Sequence, residues 1–199
     1  MDDMDIAERL PFQISVCSRA DVHKFSASGI THLLSIDNPG DPTPRPEWFA
    51  GDHWYIVFQD FESGAEAHEF SAGGPTRKNI QQVLDHAASC LKASRSGEVH
   101  LLVHCMAGVS RSTASAFAIL AMLLGPGQEM NALKYLMKIK PVAFPNKLVV
   151  QHADDILGRG GKMLEALHPL REDVNCVDNE WEAIMESQNK AMDSGNRPQ

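Results

Sequence analysis

The nine residues His104–Ser112, HCMAGVSRS, decide the fold class of this chain. They join an apolar, strand-like run, Val99 to Val103, to a helix-like run that begins near Arg111. A cysteine, a glycine and an arginine in one tight strand-to-helix loop place backbone N–H groups and a guanidinium around one point, and that arrangement binds a phosphoryl group. We call residues 105–111 the Cys–Arg loop.

Each residue type in the Cys–Arg loop has a chemical reason. A helix N-terminus favours the thiolate form of a cysteine, which makes Cys105 a candidate nucleophile. Gly108 lets the loop curl without a Cβ clash, and the planar fork of Arg111 can bind two phosphoryl oxygens. Inward-facing N–H groups are predicted to bind phosphate along the rest of the loop, namely those of Met106, Ala107, Gly108, Val109, Ser110 and Arg111.

A less specific interpretation of the same residues has to be weighed. A single cysteine in an intracellular protein is usually a small buried hydrophobe, and a single arginine is usually solvated. The six-residue spacing, the glycine and the strand-before, helix-after context together favour a phosphatase-type loop. Rhodanese-like loops and inactive phosphate binders remain as alternatives.

The Cys–Arg loop resembles the active-site loop of the cysteine-dependent protein tyrosine phosphatases. Its final Ser-Arg-Ser is similar to the dual-specificity branch, including the small bacterial-type enzymes, and the resemblance extends over about Phe12 to Leu157. It implies that Ser112 helps a phosphocysteine intermediate break down, that His104 braces the loop, and that no cofactor is needed.

The resemblance also implies a carboxylic acid that protonates the leaving group. Asp60 is our candidate, because it closely follows the predicted strand Trp54 to Phe58 and should emerge at the carboxyl edge of the sheet. The alternative role for Asp60 is an ordinary turn residue. Glu62 is the main competing acid, since an insertion predicted over Glu62 to Pro75 leaves the position of the acid open.

The pair Pro145-Asn146 also looks like the family pattern. There, an asparagine at the start of a helix steadies the phosphate loop. Asparagine is equally a good N-cap on its own, so we predict a supporting rather than a catalytic role for Asn146.

Alternating elements predict an α/β fold, with a central, largely parallel sheet flanked by helices. Ligands bind beyond the carboxyl ends of the strands in such sheets, which is where Cys105 falls. The predicted strands are Phe12–Cys17, Ile30–Ile36, Trp54–Phe58 and Val99–Val103, and the predicted helices are a short one over 18–26, one over 80–91, a buried one over Ser112–Leu124, one over 130–139 and one after Asn146.

Two segments are predicted along the 199 residues: a catalytic domain over 1–161, and an acidic C-terminal extension over 162–199. Part of the extension is predicted to be disordered. Trp181, Ile184 and Met185 could instead form a short docking helix.

The composition of the chain limits the classes of partner, compartment and metal site that we expect. The net charge of -8 argues against a nucleic-acid binder, and no stretch is apolar enough for a membrane span. The acidic N-terminus is the wrong charge for a secretory signal, so we expect a cytoplasmic, reducing compartment. The four cysteines and nine histidines show no metal-ligand spacing, and no metal is expected. Cys17 and Cys90 are predicted to be buried, although a disulfide of either one with Cys105 is an alternative.

The sequence therefore predicts a phosphomonoester hydrolase. Phosphorylated protein is the expected substrate, with phosphotyrosine first, because Met106, Ala107 and Val109 stand in the Cys–Arg loop where inositide-directed relatives tend to carry basic residues. Alternatives are a phosphate-binding module without efficient turnover, and a phosphatase of an inositide or an RNA 5′ end. The sequence does not indicate the oligomeric state.

Overall fold

The structure is a computed structural model that describes residues 6–63 and 73–170. Most of the insertion predicted over Glu62 to Pro75 lies outside the described residues. The predicted helix around Trp181 and the disorder of the tail also lie outside them.

A four-stranded parallel sheet forms the centre of the fold. Its strands are β1 (Gln13–Ser18), β2 (His32–Asp37), β3 (Asp52–Val57) and β4 (His100–Cys105), in the spatial order β1-β4-β2-β3. The predicted strands differ from these by a few residues at their ends. Strand β4 is paired on both sides and buried from Leu101 to Cys105, which explains its run of apolar residues. The predicted α/β class and the parallel sheet are confirmed.

Helices connect and cover the strands. They are α1 (Ile6–Arg9), a 3-10 helix (Arg19–Phe25), α2 (Arg77–Ala93), α3 (Arg111–Leu124), α4 (Glu129–Ile139) and α5 (Lys147–Leu157), followed by a helical stretch over 162–170. Helix α3 is buried on all sides from Arg111 to Ala121, as its lack of a polar face predicts. It packs against β4 and lies between α4, α5 and α2.

The two faces of the sheet are covered differently. Side chains alternate between faces along each strand, so residues paired across strands share a face. On one face, helix α2 covers β3, where His86 stacks on Trp54 with ring centroids 4.4 Å apart. On the other face, a smaller cluster is formed by Cys17, Val22, Leu33, Phe49 and Leu102.

The chain divides into two compact units between Ala166 and Leu167. The predicted domain boundary after residue 161 stays a prediction. Within residues 6–63 and 73–170, no helix is long and apolar enough to cross a membrane. The same residues hold no group of three or more His, Cys, Asp or Glu side chains placed to bind a metal ion.

Candidate active site

Cys105 is the last residue of β4 and is 2% exposed. Its Sγ accepts a hydrogen bond from the Gly108 N–H at 3.3 Å and lies 3.2 Å from the Ser112 Oγ. Two neutral donor groups therefore face the sulfur, one from the Cys–Arg loop and one from the first turn of α3. Both can donate to a thiolate, so the sulfur has the surroundings of a nucleophile.

Gly108 is required by a close approach of two backbones. Its φ is +70°, and a Cβ at this position would lie 2.5 Å from the carbonyl carbon of Cys17 and 2.5 Å from the nitrogen of Ser18. The Cys–Arg loop thus packs directly against the carboxyl end of β1. Only glycine meets both the positive φ and the lack of space.

Two backbone carbonyls of the Cys–Arg loop accept hydrogen bonds from residues outside the loop. The Met106 carbonyl accepts from the Arg19 N–H at 3.2 Å, and the Val109 carbonyl accepts from the Phe144 N–H at 2.9 Å and from the Thr113 hydroxyl. In a trans peptide the C=O and the following N–H point in opposite directions. The N–H groups that follow these carbonyls are therefore directed toward the centre of the loop. Sequence reasoning missed Thr113, although a hydroxyl in the first turn of a helix is a recognisable signal.

Arg111 is the first residue of α3 and is 3% exposed. Its Nη1 donates to the Asn38 Oδ1 at 2.7 Å and to the Phe58 carbonyl at 2.9 Å. Its Nε is buried and makes no hydrogen bond with any residue in the described ranges. One end of the guanidinium is thus anchored, while a buried N–H donor is left over.

Asn38 was not singled out from the sequence. Asn38 is the residue immediately after β2, and Asp60 lies a few residues after the end of β3. The carboxyl ends of parallel strands meet at one edge of the sheet, so both residues are brought to that edge. That placement was the available signal. A polar side chain one residue beyond a buried strand could have been predicted to reach the Cys–Arg loop.

The structure brings Asp60 against the Cys–Arg loop. Its Oδ1 accepts from the Ser110 hydroxyl at 2.6 Å and from the Asn146 Nδ2 at 2.9 Å, and its Oδ2 lies 3.6 Å from the Arg111 Nε. The Asp60 side chain is 38% exposed, so solvent reaches it. Glu62 lies two residues further along and stays the alternative acid.

Asn146 caps a helix, and its predicted role in steadying the Cys–Arg loop stays a prediction. Its Oδ1 accepts from the Val149 N–H at 3.0 Å, which caps α5. Its Nδ2 donates to Asp60 and to the Phe61 carbonyl at 3.0 Å, so the buried amide also fixes the segment that carries the acid. Its contact with the Cys–Arg loop is through the backbone, from its N–H to the Ser110 carbonyl at 3.4 Å.

His104 points to the sheet face opposite that of Cys105. Its Nε2 lies 2.6 Å from the Ser35 Oγ, and its ring is fully buried. Burial lowers the pKa of His104 to about 4, so the ring is neutral at physiological pH. The bracing role implied by the resemblance stays a prediction.

The other described cysteines are free and buried. Burial raises the pKa of both the Cys17 and the Cys90 thiol to about 12. Cys17 pairs with His104 across the sheet while Ser18 pairs with Cys105, so Cys17 and Cys105 point to opposite faces. A Cys17–Cys105 disulfide would need the backbone to move.

Comparisons with known proteins identify which solved structures share this fold. No protein-family model matches the chain, and neither does any curated protein. Solved structures do match: that of DUSP15 has a TM-score of 0.55 at 20% identity, covering 80% of this chain and 90% of that one. The Yvh1 phosphatase domain from Chaetomium thermophilum has a TM-score of 0.54 at 21% identity, covering 77% and 94%. The human tyrosine phosphatase-like serine/threonine/tyrosine-interacting protein has a TM-score of 0.52 at 16% identity, covering 70% and 84%. The chain therefore has the fold of the cysteine-dependent dual-specificity phosphatases.

Proposed function

We propose that this protein is a phosphomonoester hydrolase that works through a phosphocysteine intermediate on Cys105. The observation that carries the proposal is the Arg111 Nε, a buried cationic donor that makes no hydrogen bond within the described residues and lies 3.6 Å from the Asp60 Oδ2, next to a loop whose N–H groups turn inward. A buried donor without a hydrogen bond is costly, and a phosphoryl oxygen would accept one from it.

In the first step, the Cys105 thiolate attacks phosphorus. An S–P bond forms, the P–O bond to the leaving group breaks, and the leaving oxygen takes a proton from Asp60. Arg111 and the inward N–H groups stabilise the charge on the three remaining phosphoryl oxygens. The phosphate stays bound in the Cys–Arg loop as a phosphocysteine.

In the second step, a water molecule attacks the phosphocysteine. The Asp60 carboxylate accepts a proton from that water, the S–P bond breaks, and its electrons return to sulfur. The Ser112 hydroxyl, 3.2 Å from the sulfur, can donate to the departing thiolate. Inorganic phosphate leaves, and the acid and the nucleophile are restored.

The contacts of Asp60 indicate which oxygen carries the proton. Oδ1 already accepts from Ser110 and Asn146, so Oδ2 is the oxygen available for an O–H. In the free enzyme that Oδ2 lies 3.6 Å from the Arg111 Nε.

Phosphorylated protein is the proposed substrate, with phosphotyrosine first. The variable positions of the Cys–Arg loop are Met106, Ala107 and Val109, which offer no lysine to a multiply phosphorylated inositide. The net charge of -8 disfavours an RNA end, because nucleic-acid affinity depends on neutralising many phosphates.

The test is phosphate release from phosphotyrosine, phosphothreonine and phosphoserine peptides, in chelator and reductant, by wild type and variants. We expect release by wild type that Cys105→Ser abolishes. We expect Asp60→Asn to slow turnover by roughly 10²–10⁴-fold on these peptides, and much less on an aryl phosphate with a good leaving group. Glu62→Gln is the matched control and should turn over like wild type.

Other outcomes would contradict the proposal in different ways. If wild type releases nothing while Cys105→Ser binds phosphopeptide, the protein is a phosphate-binding module. Release only from inositides or RNA 5′ ends would replace the substrate class. A slowing that depends on the leaving group, seen in Glu62→Gln rather than in Asp60→Asn, would reassign the acid to Glu62.

A further inference from the structure

Arg111 is anchored by acceptors that carry no charge. Its Nη1 donates to the Asn38 amide oxygen at 2.7 Å and to the Phe58 backbone carbonyl at 2.9 Å. A carboxylate binds a guanidinium more strongly than a neutral oxygen does. The carboxylate of Asp60 lies 3.6 Å from the Arg111 Nε, whereas the Nη1 end of the guanidinium is held by neutral oxygens alone.

A tight turn presents the Asn38 side chain. In the sequence Asn38-Pro39-Gly40-Asp41, the Asp41 N–H donates to the Asn38 carbonyl at 3.1 Å, and Gly40 has a φ of +79°. Proline in the second position and a glycine of positive φ in the third are the residues that a type II β-turn selects. We call residues 38–41 the anchor turn. Because the anchor turn directly follows β2, the sheet fixes its first residue.

The buried Asp37 carboxylate holds the segments on either side of the anchor turn. It accepts from the Thr43 N–H at 2.8 Å, from the Thr43 hydroxyl at 2.6 Å and from the Arg19 Nη2 at 3.1 Å. The Arg19 Nη1 donates to the Asp41 carboxylate at 2.8 Å, and the Arg19 backbone N–H donates to the Met106 carbonyl at 3.2 Å. Arg19 therefore links the anchor turn to the Cys–Arg loop.

The two arginines receive different partners from one short segment. Asp37 and Asp41 flank Asn38 in the sequence, yet both carboxylates pair with Arg19, and the neutral amide is the group that reaches Arg111. Arg19 is neutralised in this way, whereas the anchored end of Arg111 keeps its charge. Asp60 carries a proton in the reactive form proposed above, so its carboxyl group does not then oppose a phosphoryl group at Arg111.

We propose that Asn38 is a positioning residue that fixes the Arg111 guanidinium without neutralising it, so that the affinity of the Cys–Arg loop for an oxyanion depends on this anchor being uncharged. A rigid anchor directs the fork of Arg111 toward the phosphoryl oxygens, and a neutral one preserves the charge that binds them. The inference rests on the proposed function in taking the Cys–Arg loop as an oxyanion site.

The test measures oxyanion binding without turnover, by titration calorimetry with tungstate, a tetrahedral dianion. In Asn38→Asp we expect the tungstate affinity to fall by at least about tenfold, because a negative charge is added beside the bound dianion. The chain should stay folded in urea denaturation, since the two side chains have the same size. In Asn38→Ala we expect a smaller loss, about threefold, because Arg111 keeps its charge and loses only part of its preorganisation.

The order of the two variants distinguishes a neutral anchor from a merely structural acceptor. A structural acceptor would be replaced at least as well by a carboxylate, so Asn38→Asp would then bind tungstate better than Asn38→Ala. A neutral anchor predicts the reverse order. Equal affinities of wild type and Asn38→Asp, or a weaker affinity in Asn38→Ala than in Asn38→Asp, would overturn the inference.

Asn79→Asp is the matched control. The Asn79 Oδ1 also acts as an acceptor, from the Thr76 N–H at 3.0 Å, and the substitution makes the same change in net charge. Its partner is the residue that caps α2 rather than Arg111. This variant should bind tungstate like wild type. A loss as large as that of Asn38→Asp would mean that net charge alone explains both, and the inference would be wrong.

Turnover gives a second readout. Asn38→Asp should lower kcat/KM to the same degree on a phosphotyrosine peptide and on an aryl phosphate with a good leaving group, since the charge on the phosphoryl oxygens is present in both. Asp60→Asn is expected to differ, because the need for an acid depends on the leaving group. A loss in Asn38→Asp that depends on the leaving group would place its effect on the acid and contradict the inference.

The two proposals fail separately. A wild type that binds tungstate but releases no phosphate, with binding weakened in Asn38→Asp, would overturn the proposed function and support the neutral anchor. A wild type that turns over, with Asn38→Asp equal to it in tungstate affinity and in kcat/KM, would overturn the neutral anchor alone. Folded wild type that binds no tungstate would overturn both.

Discussion

Gly108 shows how much a single residue decides in this site. The Gly108 N–H donates to the Cys105 sulfur, and the missing Cβ lets the loop approach the β1 backbone. An added methyl group would meet main-chain atoms of Cys17 and Ser18, which cannot rotate away as a side chain could. The position of the sulfur's donor and the packing of the loop therefore depend on the same absent side chain.

We expect Gly108→Ala to unfold more easily than Gly158→Ala, by at least about 2 kcal/mol, the scale of overpacking in a filled site. Gly158 has a similar φ of +65° and open space around its Cβ position, so it shares the backbone strain without the clash. Chemical denaturation of both variants isolates the clash. Gly108→Ala should also lose Cys105 alkylation at pH 6. Equal unfolding free energies for the two variants would contradict the close approach.

At the scale of elements, α5 is tied to the site through its first cap. Asn146 accepts from the Val149 N–H and donates to Asp60 and Phe61, so one buried amide joins a helix start to the acid-bearing segment. Without Asn146, Asp60 would keep only the Ser110 hydroxyl as a hydrogen-bond donor among its described partners. The orientation of Asp60 therefore depends on how α5 begins.

We expect Asn146→Ala to lower kcat roughly 10–100-fold after correction for the folded fraction, because a misplaced acid loses rate steeply. Thr76→Ala is the matched control. Thr76 caps α2 through the Asn79 N–H, so its loss removes a helix cap of ordinary value, about 1 kcal/mol. Steady-state kinetics and denaturation of both variants separate the two effects. Equal kcat for the two would show that Asn146 is only a cap.

At the scale of the whole molecule, the buried histidines set the response to acid. Burial lowers the pKa of His53, His86 and His104 to about 4 in the folded chain, against 6.5 for the free side chain. The unfolded chain therefore binds these protons near pH 6.5, while the folded chain does not bind them until about pH 4. The contribution of these three histidines to the unfolding free energy is fully present above pH 6.5 and is lost as the pH drops toward 4.

His86 offers the clearest test, since it is fully buried and neither ring nitrogen has a hydrogen-bond partner within the described residues. We expect His86→Phe to keep the stacking on Trp54 and to make the unfolding free energy less dependent on pH between 4 and 6.5. The slope should fall by about 1.4 kcal/mol per pH unit, the value of one proton. Urea denaturation at several pH values measures it. An unchanged slope would mean that His86 takes up its proton in the folded state.

Local features of the fold and of the site could be predicted from sequence patterns. The apolar run before Cys105 predicted a buried central strand, and the absence of a polar face after Arg111 predicted a buried helix. Both predictions are possible because an element buried on all sides is apolar along its whole length. The curl of the Cys–Arg loop at Gly108 was predicted from its residue type, since a positive φ favours glycine. The position of Asp60 beyond β3 followed from the rule for parallel sheets.

The partners of these residues depended on tertiary structure alone. Asn38 binds Arg111 from 73 positions away, and Ser35 meets His104 across 69 positions, because the spatial order β1-β4-β2-β3 brings β2 beside β4. No local pattern encodes which strands become neighbours. The sequence by itself determined the chemistry of the Cys–Arg loop, because sulfur, guanidinium and glycine are properties of single residues. The tertiary structure decided what anchors that chemistry, because hydrogen bonds between distant segments exist only once the strand order and register are set.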